Sequence, residues 1–236
     1  MSERPGLVIV DYGMGNLFSV LRACQAVGVN AVVTNSKRAI LDASGVILPG
    51  VGAFGVAIQN LAALDLIAVL RDVAESGKPL LGICLGMQLL MSESQEFGVH
   101  QGLGLIQGDV VQLPRQSELG LLSKVPHVGW EAVRPPESLR NEGGAPRWEG
   151  ALLHDLAAGE YMYFVHSYYC RPQEQDKSLS VTLYGTFEFC STITEGNITG
   201  CQFHPERSGP SGLRIYRNFA AKAMGLKQGE HRAGKA

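Results

Sequence analysis

The sequence predicts a single α/β domain, a central and mostly parallel open sheet flanked by helices, with a β-rich second half. Three observations lead there. Short, uninterrupted apolar runs alternate with helix-patterned segments up to Gly102, closely spaced short strands follow, and an amphipathic helix closes the chain. Runs without polar alternation suit strands buried on both faces, and strands that alternate with helices build a parallel sheet covered on both sides.

The first run is Leu7–Val10. It ends in Asp11-Tyr12-Gly13-Met14-Gly15-Asn16, after which Leu17, Val20, Leu21, Cys24 and Val27 recur at helical spacing. Ala31–Val33, Gly45–Leu48 and Pro79–Ile83 are the next strands, separated by helix-like segments such as Ala57–Val73, which ends near Gly77. In the second half, Asp109–Leu113, His127–Val133, Tyr161–Cys170, Leu179–Tyr184, Phe187–Thr192 and Ile198–Phe203 read as strands joined by turns. A helix from about Ser211 to Met224 follows. Residues 1–225 are expected to form the domain and 226–236 a frayed, disordered polar tail. Proline and glycine mark a surface excursion from Arg134 to Gly150, with no shift in composition that would signal a second domain.

Composition narrows the function. The chain has 236 residues, of which 45% are hydrophobic and 18% charged, and a net charge of −2. A chain of this size buries roughly 70% or more of its unfolded surface and needs no disulfide or metal staple. Its charge balance offers no basic face for nucleic acid. No stretch reaches the roughly 18 apolar residues of a membrane span, and Met1–Gly6 lacks the start of a signal peptide, so the protein reads as cytoplasmic. The five cysteines are odd in number and contain no Cys-x-x-Cys pair, which argues against a zinc ribbon or disulfide frame. Nothing calls for a cofactor or metal.

One cysteine differs from the others. In Gly82-Ile83-Cys84-Leu85-Gly86-Met87-Gln88, an apolar strand runs directly into Gly-x-Cys-x-Gly and then a helix. This is a nucleophile elbow with sulfur in place of oxygen. The glycines remove side chains where strand and helix meet, and the helix N-terminus favours the thiolate, which is the attacking form. Taken alone, a cysteine between glycines also fits a packed core strand.

A nucleophile of this kind needs a base and a group to orient the base. Of six histidines, His204 stands at the end of an apolar strand in Gly200-Cys201-Gln202-Phe203-His204-Pro205-Glu206. Pro205 ends the strand. Residues two apart in extended chain point the same way, so Glu206 is expected to reach His204. A solvated turn is the plain alternative, and a metal site has no further paired ligands.

Leu48-Pro49-Gly50-Val51-Gly52-Ala53-Phe54-Gly55 is another strand end followed by a glycine-rich turn, suited to an oxyanion hole of inward-turned N–H groups. It lacks the Gly-Lys-Ser/Thr ending of a phosphate loop. Gly13-Met14-Gly15-Asn16-Leu17-Phe18 has Phe18 where a dinucleotide fingerprint needs a third glycine or alanine. If Gly50 needs a positive φ, a β-branched residue there would block rearrangement of the turn.

Together, Gly82–Gly86 and His204-Pro205-Glu206 resemble the Cys-His-Glu triad of class I glutamine amidotransferases. Asp11–Asn16, Pro49–Gly55, Pro126-His127-Val128-Gly129-Trp130 and Phe164-Val165-His166-Ser167-Tyr168 are similar to one branch of that family, the glutaminase subunits of histidine biosynthesis. The resemblance runs from about Leu7 to Ala223. It implies hydrolysis of glutamine to glutamate and ammonia, and a heterodimer in which ammonia is channelled to a separate (β/α)8-barrel cyclase subunit that makes imidazole glycerol phosphate. It further implies that Gly52, Gln88, Ser167 and Tyr168 hold glutamine. Gly50, Val51 and Leu85 would belong to the oxyanion and substrate site, while Asp11, Asn16, Trp130, Tyr163 and Arg207 would face the cyclase. Two features depart from the family pattern: Arg207 stands where lysine is usual, and the Arg134–Gly150 excursion is longer. The rivals are a subunit feeding another synthase, a cysteine hydrolase of γ-glutamyl or peptide bonds working alone, and a non-catalytic interaction subunit.

Overall fold

The computed structural model describes residues 6–115, 124–140, 148 and 150–226. Its first half runs β1 (Leu7–Val10), α1 (Leu17–Ala26), β2 (Ala31–Thr34), α2 (Lys37–Asp42), β3 (Gly45–Gly50), α3 (Phe54–Ala63), α4 (Leu66–Glu75), β4 (Leu80–Cys84) and α5 (Leu85–Leu89). Then follow β5 (Met91–Ser94), β6 (His100–Gln101), β7 (Ile106–Gln112), β8 (His127–Arg134), β9 (Glu160–His166), β10 (Tyr168–Pro172), β11 (Ser178–Tyr184), β12 (Phe187–Glu195), β13 (Ile198–Cys201) and α6 (Gly209–Ala223).

Nine strands form one sheet in the order β2-β1-β3-β4-β13-β12-β11-β8-β9. It is parallel from β2 through β13 and antiparallel from β13 to β9. β1, β3 and β4 are buried along their whole length, which is why they read as apolar runs without alternation, whereas β2 at the sheet edge is only partly covered. Alternate residues nonetheless go to different cores: Val8, Val46 and Leu80 pack with α2, α3 and α4, whereas Leu7, Ile47 and Leu81 pack with α1 and α6. β10-β7-β5-β6 make a second, smaller sheet.

The expected strands and the closing helix are present, with three corrections. Ala57–Val73 is not one helix. The chain breaks after Ala63, and Asp65 takes a left-handed φ of 51°. The two helices then bend by 92°, so that Leu61 on one and Leu66, Val69 and Leu70 on the other face the same core. Tyr161–Cys170 is two strands. β9 pairs with β8 in the large sheet, and β10 pairs with β7 in the small one, with the crossing at Ser167. β5 and β6 were not foreseen, being short and lacking apolar alternation.

No single helix among the described residues is long and apolar enough to cross a membrane. Residues 141–147 and 149 of the excursion, and 227–236 of the expected tail, lie outside the described residues. The far end of the excursion is pinned by Trp148, which is buried and donates from Nε1 to the Leu179 carbonyl over 2.9 Å.

Candidate active site

The elbow owes its shape to two close approaches. A Cβ on Gly82 would lie 2.6 Å from the Gly86 carbonyl oxygen, and one on Gly86 would lie 1.7 Å from that of Leu48, so neither position admits a side chain. Between them Cys84 ends β4 and opens α5 with φ 54° and ψ −110°. A non-glycine residue held there stores strain, and such strain gathers at functional sites. The other four cysteines are buried too, and none of the five forms a disulfide. Burial drives Cys24 and Cys190 up to about 12.

β13 lies beside β4 with Cys201 opposite Ile83, which brings the end of β13 up against the elbow. The chain then leaves the sheet through Gln202 and Phe203 into a single 3-10 turn, Pro205–Arg207. Glu206 reaches His204, as expected, but from this turn and not from extended chain. His204 Nδ1 is 2.7 Å from Glu206 Oε1. α6 packs tightly beneath, since a Cβ on Gly212 would be 1.9 Å from the Pro205 carbonyl oxygen. His204 Nε2 is buried without a hydrogen-bond partner among the described residues. Burial alone would lower the His204 pKa, but the neighbouring Cys84 and Glu206 outweigh it and push it up to about 10. Both neighbours thus favour the protonated imidazole.

Beside Cys84 opens a pocket of about 250 Å³. Val51, Gly52, Cys84, Leu85, Gln88, Ser167 and Tyr168 all line it. Gly50 lies just behind, opposite Cys84 in the β3–β4 register. Its φ is not positive, contrary to the condition considered from sequence; the left-handed residue of this turn is Gly52, at φ 118°. Gly50 is required for another reason: a Cβ there would meet the Tyr12 hydroxyl at 2.4 Å and Leu85 Cβ at 3.0 Å.

Sequence reasoning missed part of the lining. Glu96, Pro126, Val165 and His166 share the pocket. Glu96 Oε2 accepts from the Phe54 N–H at 2.6 Å, which ties a carboxylate to the start of α3. His166 Nδ1 is 2.9 Å from the Tyr168 carbonyl and its Nε2 is 3.2 Å from His127 Nδ1. Burial holds His127 down to about 4 and His166 down to about 3, so both are neutral. The signal for these two lay in the Pro126–Trp130 and Phe164–Tyr168 motifs, which place His127 opposite His166 across β8 and β9.

The residues expected to face a partner fall into two groups. Trp130, Tyr163 and Arg207 form one surface: the Arg207 guanidinium sits 4.7 Å above the Tyr163 ring, and Trp130 meets the same ring edge-on at 5.9 Å. That surface adjoins the site, because the Tyr163 carbonyl accepts from the His204 N–H at 2.8 Å. Asp11 and Asn16 serve locally. Asp11 Oδ1 accepts from Gly13 N–H, and Asn16 caps α1 by accepting from Ser19 N–H.

A fold of this kind, with a strained cysteine elbow facing a His-Glu pair, is matched by the family described as glutamine amidotransferase class-I, over residues 8–223. The chain belongs to that family. Among its relatives, the imidazole glycerol phosphate synthase subunit HisH of Aquifex aeolicus (strain VF5) is 44% identical over 223 residues, covering 93% of this chain and 98% of that one. The same subunit of Moorella thermoacetica is 47% identical over 213 residues, covering 90% and 93%. Within the family, then, the chain falls in the histidine-biosynthesis branch that Asp11–Asn16 and Pro126–Trp130 had pointed to, as a HisH-type glutamine amidotransferase subunit. A crystal structure of a glutamine amidotransferase superposes with a TM-score of 0.66 at 18% identity, over 92% of this chain and 98% of that one. A chain of PurLQS from Thermotoga maritima gives 0.64 at 19%, over 92% and 97%. These two speak for the fold.

Proposed function

We propose that this subunit hydrolyses glutamine to glutamate and ammonia through Cys84, His204 and Glu206, and delivers the ammonia to a cyclase subunit with a (β/α)8 barrel. The observation that carries this reading is geometric: His204, held 2.7 Å from Glu206, follows the strand that lies beside β4, at whose end Cys84 sits in strained backbone.

In this reading the Cys84 sulfur attacks the side-chain carbonyl carbon of glutamine. The electron pair of the C=O bond moves to oxygen, and backbone N–H groups of the Gly50–Gly52 turn and Leu85 hold that oxyanion. The tetrahedral species collapses as His204 gives its proton to the departing nitrogen, which leaves as ammonia and a γ-glutamyl thioester. Water then attacks the thioester while His204 takes one of its protons. Glutamate leaves and the thiolate returns. Glu206 keeps the imidazole in one orientation and stabilises its charged form.

Glutamine recognition follows from the pocket walls. Ser167, Tyr168, Gly52 and Gln88 lie around the position of the substrate, and the Glu96 carboxylate supplies a counter-charge for its α-ammonium group. Trp130, Tyr163 and Arg207, beside His204, are the contacts offered to the cyclase. A glutaminase that waited for its partner would waste no glutamine, and a glycine turn gives the oxyanion hole a cheap way to remain unformed until then. The test is a glutaminase assay with and without the cyclase and its nucleotide ligand. Strong stimulation is expected. Full activity in the isolated subunit, or activity on γ-glutamyl peptides instead, would refute the reading.

A further inference from the structure

A buried chain of hydrogen bonds runs from β8 to the nucleophile. His127 Nδ1 is 3.2 Å from His166 Nε2, and His166 Nδ1 is 2.9 Å from the Tyr168 carbonyl. That same oxygen accepts from Gln88 Nε2 at 2.9 Å. Gln88 Nε2 also lies 3.1 Å from Gln202 Oε1, and Gln202 Nε2 lies 3.6 Å from Cys84 Sγ. Gln202 is fully buried.

The direction of every bond in this chain is set by one group. A backbone carbonyl only accepts, so the Gln88 atom facing Tyr168 must be its NH2. The second N–H of that NH2 then requires an acceptor, which fixes Gln202 with its oxygen toward Gln88. Gln202 is left with its own NH2 toward Cys84. The sulfur therefore faces a donor that cannot turn round without leaving two amide groups mismatched in the core. On the other side, His166 must donate from Nδ1 to the same carbonyl, so its Nε2 is the acceptor for His127.

We infer that Gln202 is a positioning donor for the nucleophile, holding the Cys84 sulfur in its thiolate form through an N–H whose direction is dictated by Gln88 and the Tyr168 carbonyl. A hydrogen bond given to the charged form favours that form, and a fully buried donor has no water competing for it. His204 supplies the charge beside the sulfur and Gln202 the uncharged donor. When the thiol is protonated, the Val165 carbonyl, 3.8 Å from Sγ, is its acceptor.

The inference rests on the reading of Cys84 as nucleophile, and alkylation of Cys84 by iodoacetamide separates the two. The titratable groups around the sulfur are His204 with Glu206, His166, Tyr12, Cys201, Cys170 and, on the pocket wall, Glu96. In the wild-type protein Cys84 should react faster than the other cysteines, and glutamine should protect it. If it does neither, the nucleophile assignment fails.

With that established, Gln202→Leu and Gln202→Met should alkylate about tenfold or more slowly at neutral pH, the effect of one hydrogen bond to a charged group. The deficit should shrink as pH rises, because alkali makes the thiolate in every variant. A collapsed pocket would keep its deficit at all pH values. Equal rates in wild type and variants at neutral pH, or a deficit that does not close in alkali, would overturn the role of Gln202 and leave Cys84 as nucleophile. Should both variants unfold, wild-type protein labelled with 15N-glutamine carries the test. A buried side-chain amide signal must move when Cys84 is alkylated, and unmoved amide signals would contradict the inference.

Discussion

His204 Nδ1 and Glu206 Oε1 stand 2.7 Å apart, with both side chains almost wholly withdrawn from solvent. A pair so placed orients and charges the imidazole together, so its members should not contribute independently. His204→Asn is expected to lose about 10⁶-fold in glutamine turnover and Glu206→Gln about 10⁴-fold, by analogy with the unequal members of other triads. Adding Cys84→Ala to His204→Asn should cost little more than either alone. Losses that multiply in the double variant would mean that the residues act separately.

The two glycines of the Gly50–Gly52 turn should fail in different ways. Gly50→Val forces atoms into the space of the Tyr12 hydroxyl and Leu85. Overpacking of this kind costs about 1–3 kcal/mol, and a urea melt should show it as a lower midpoint. Gly52 is exposed and faces only the flexible Met14 terminus, but sits at φ 118°. Gly52→Ala should therefore distort the turn, and glutamine turnover should fall by about 10²–10³-fold, the worth of one oxyanion donor. An unchanged rate would remove this turn from the oxyanion site.

Acid should loosen the protein through its neutral histidine pair. Burial holds His127 near 4 and His166 near 3, against about 6.5 in an unfolded chain. Between those values the unfolded state binds more protons than the folded one, so stability rises with pH there and falls as pH drops from about 6.5 toward 3–4. Thermal midpoints measured across that range should decline, and more gently in a His127→Gln variant. Identical slopes would show that the pair is not the source.

Trp130 is half exposed, so its loss should cost little folding stability. If it meets the cyclase, Trp130→Ala should weaken binding by about 30-fold or more, as removal of a buried interface aromatic does. Arg207→Lys should weaken it less, since lysine keeps the charge but loses the planar stacking on Tyr163. Titration calorimetry with the cyclase would read both.

Much of the fold was legible because its signals are local. Leu7–Val10 into Asn16–Ala26, and Leu80–Cys84 into Leu85–Leu89, declare strand, turn and helix within a few residues, and Gly82 is needed for a contact made inside that same elbow. The break at Asp65 was not legible, since its cause is the shared core beneath α3 and α4. Nor was the crossing at Ser167, where apolar alternation continues while the strand changes sheets. Cys84 and His204 could be paired from sequence because one ends β4 and the other follows β13 by three residues, and those strands are neighbours. Glu96 and Gln202 were silent. Each depends on an element far away in the chain: Glu96 on the Phe54 N–H at the start of α3, and Gln202 on the register of β13 on β4.

The most direct measurement is synthesis by the complex of Cys84→Ala with the cyclase, driven by glutamine in one assay and by ammonium salts in the other. If the elbow sulfur is the nucleophile, as proposed, the glutamine-driven reaction should vanish while the ammonium-driven reaction proceeds at the wild-type rate. Near-normal glutamine turnover without that sulfur would contradict covalent catalysis at Cys84.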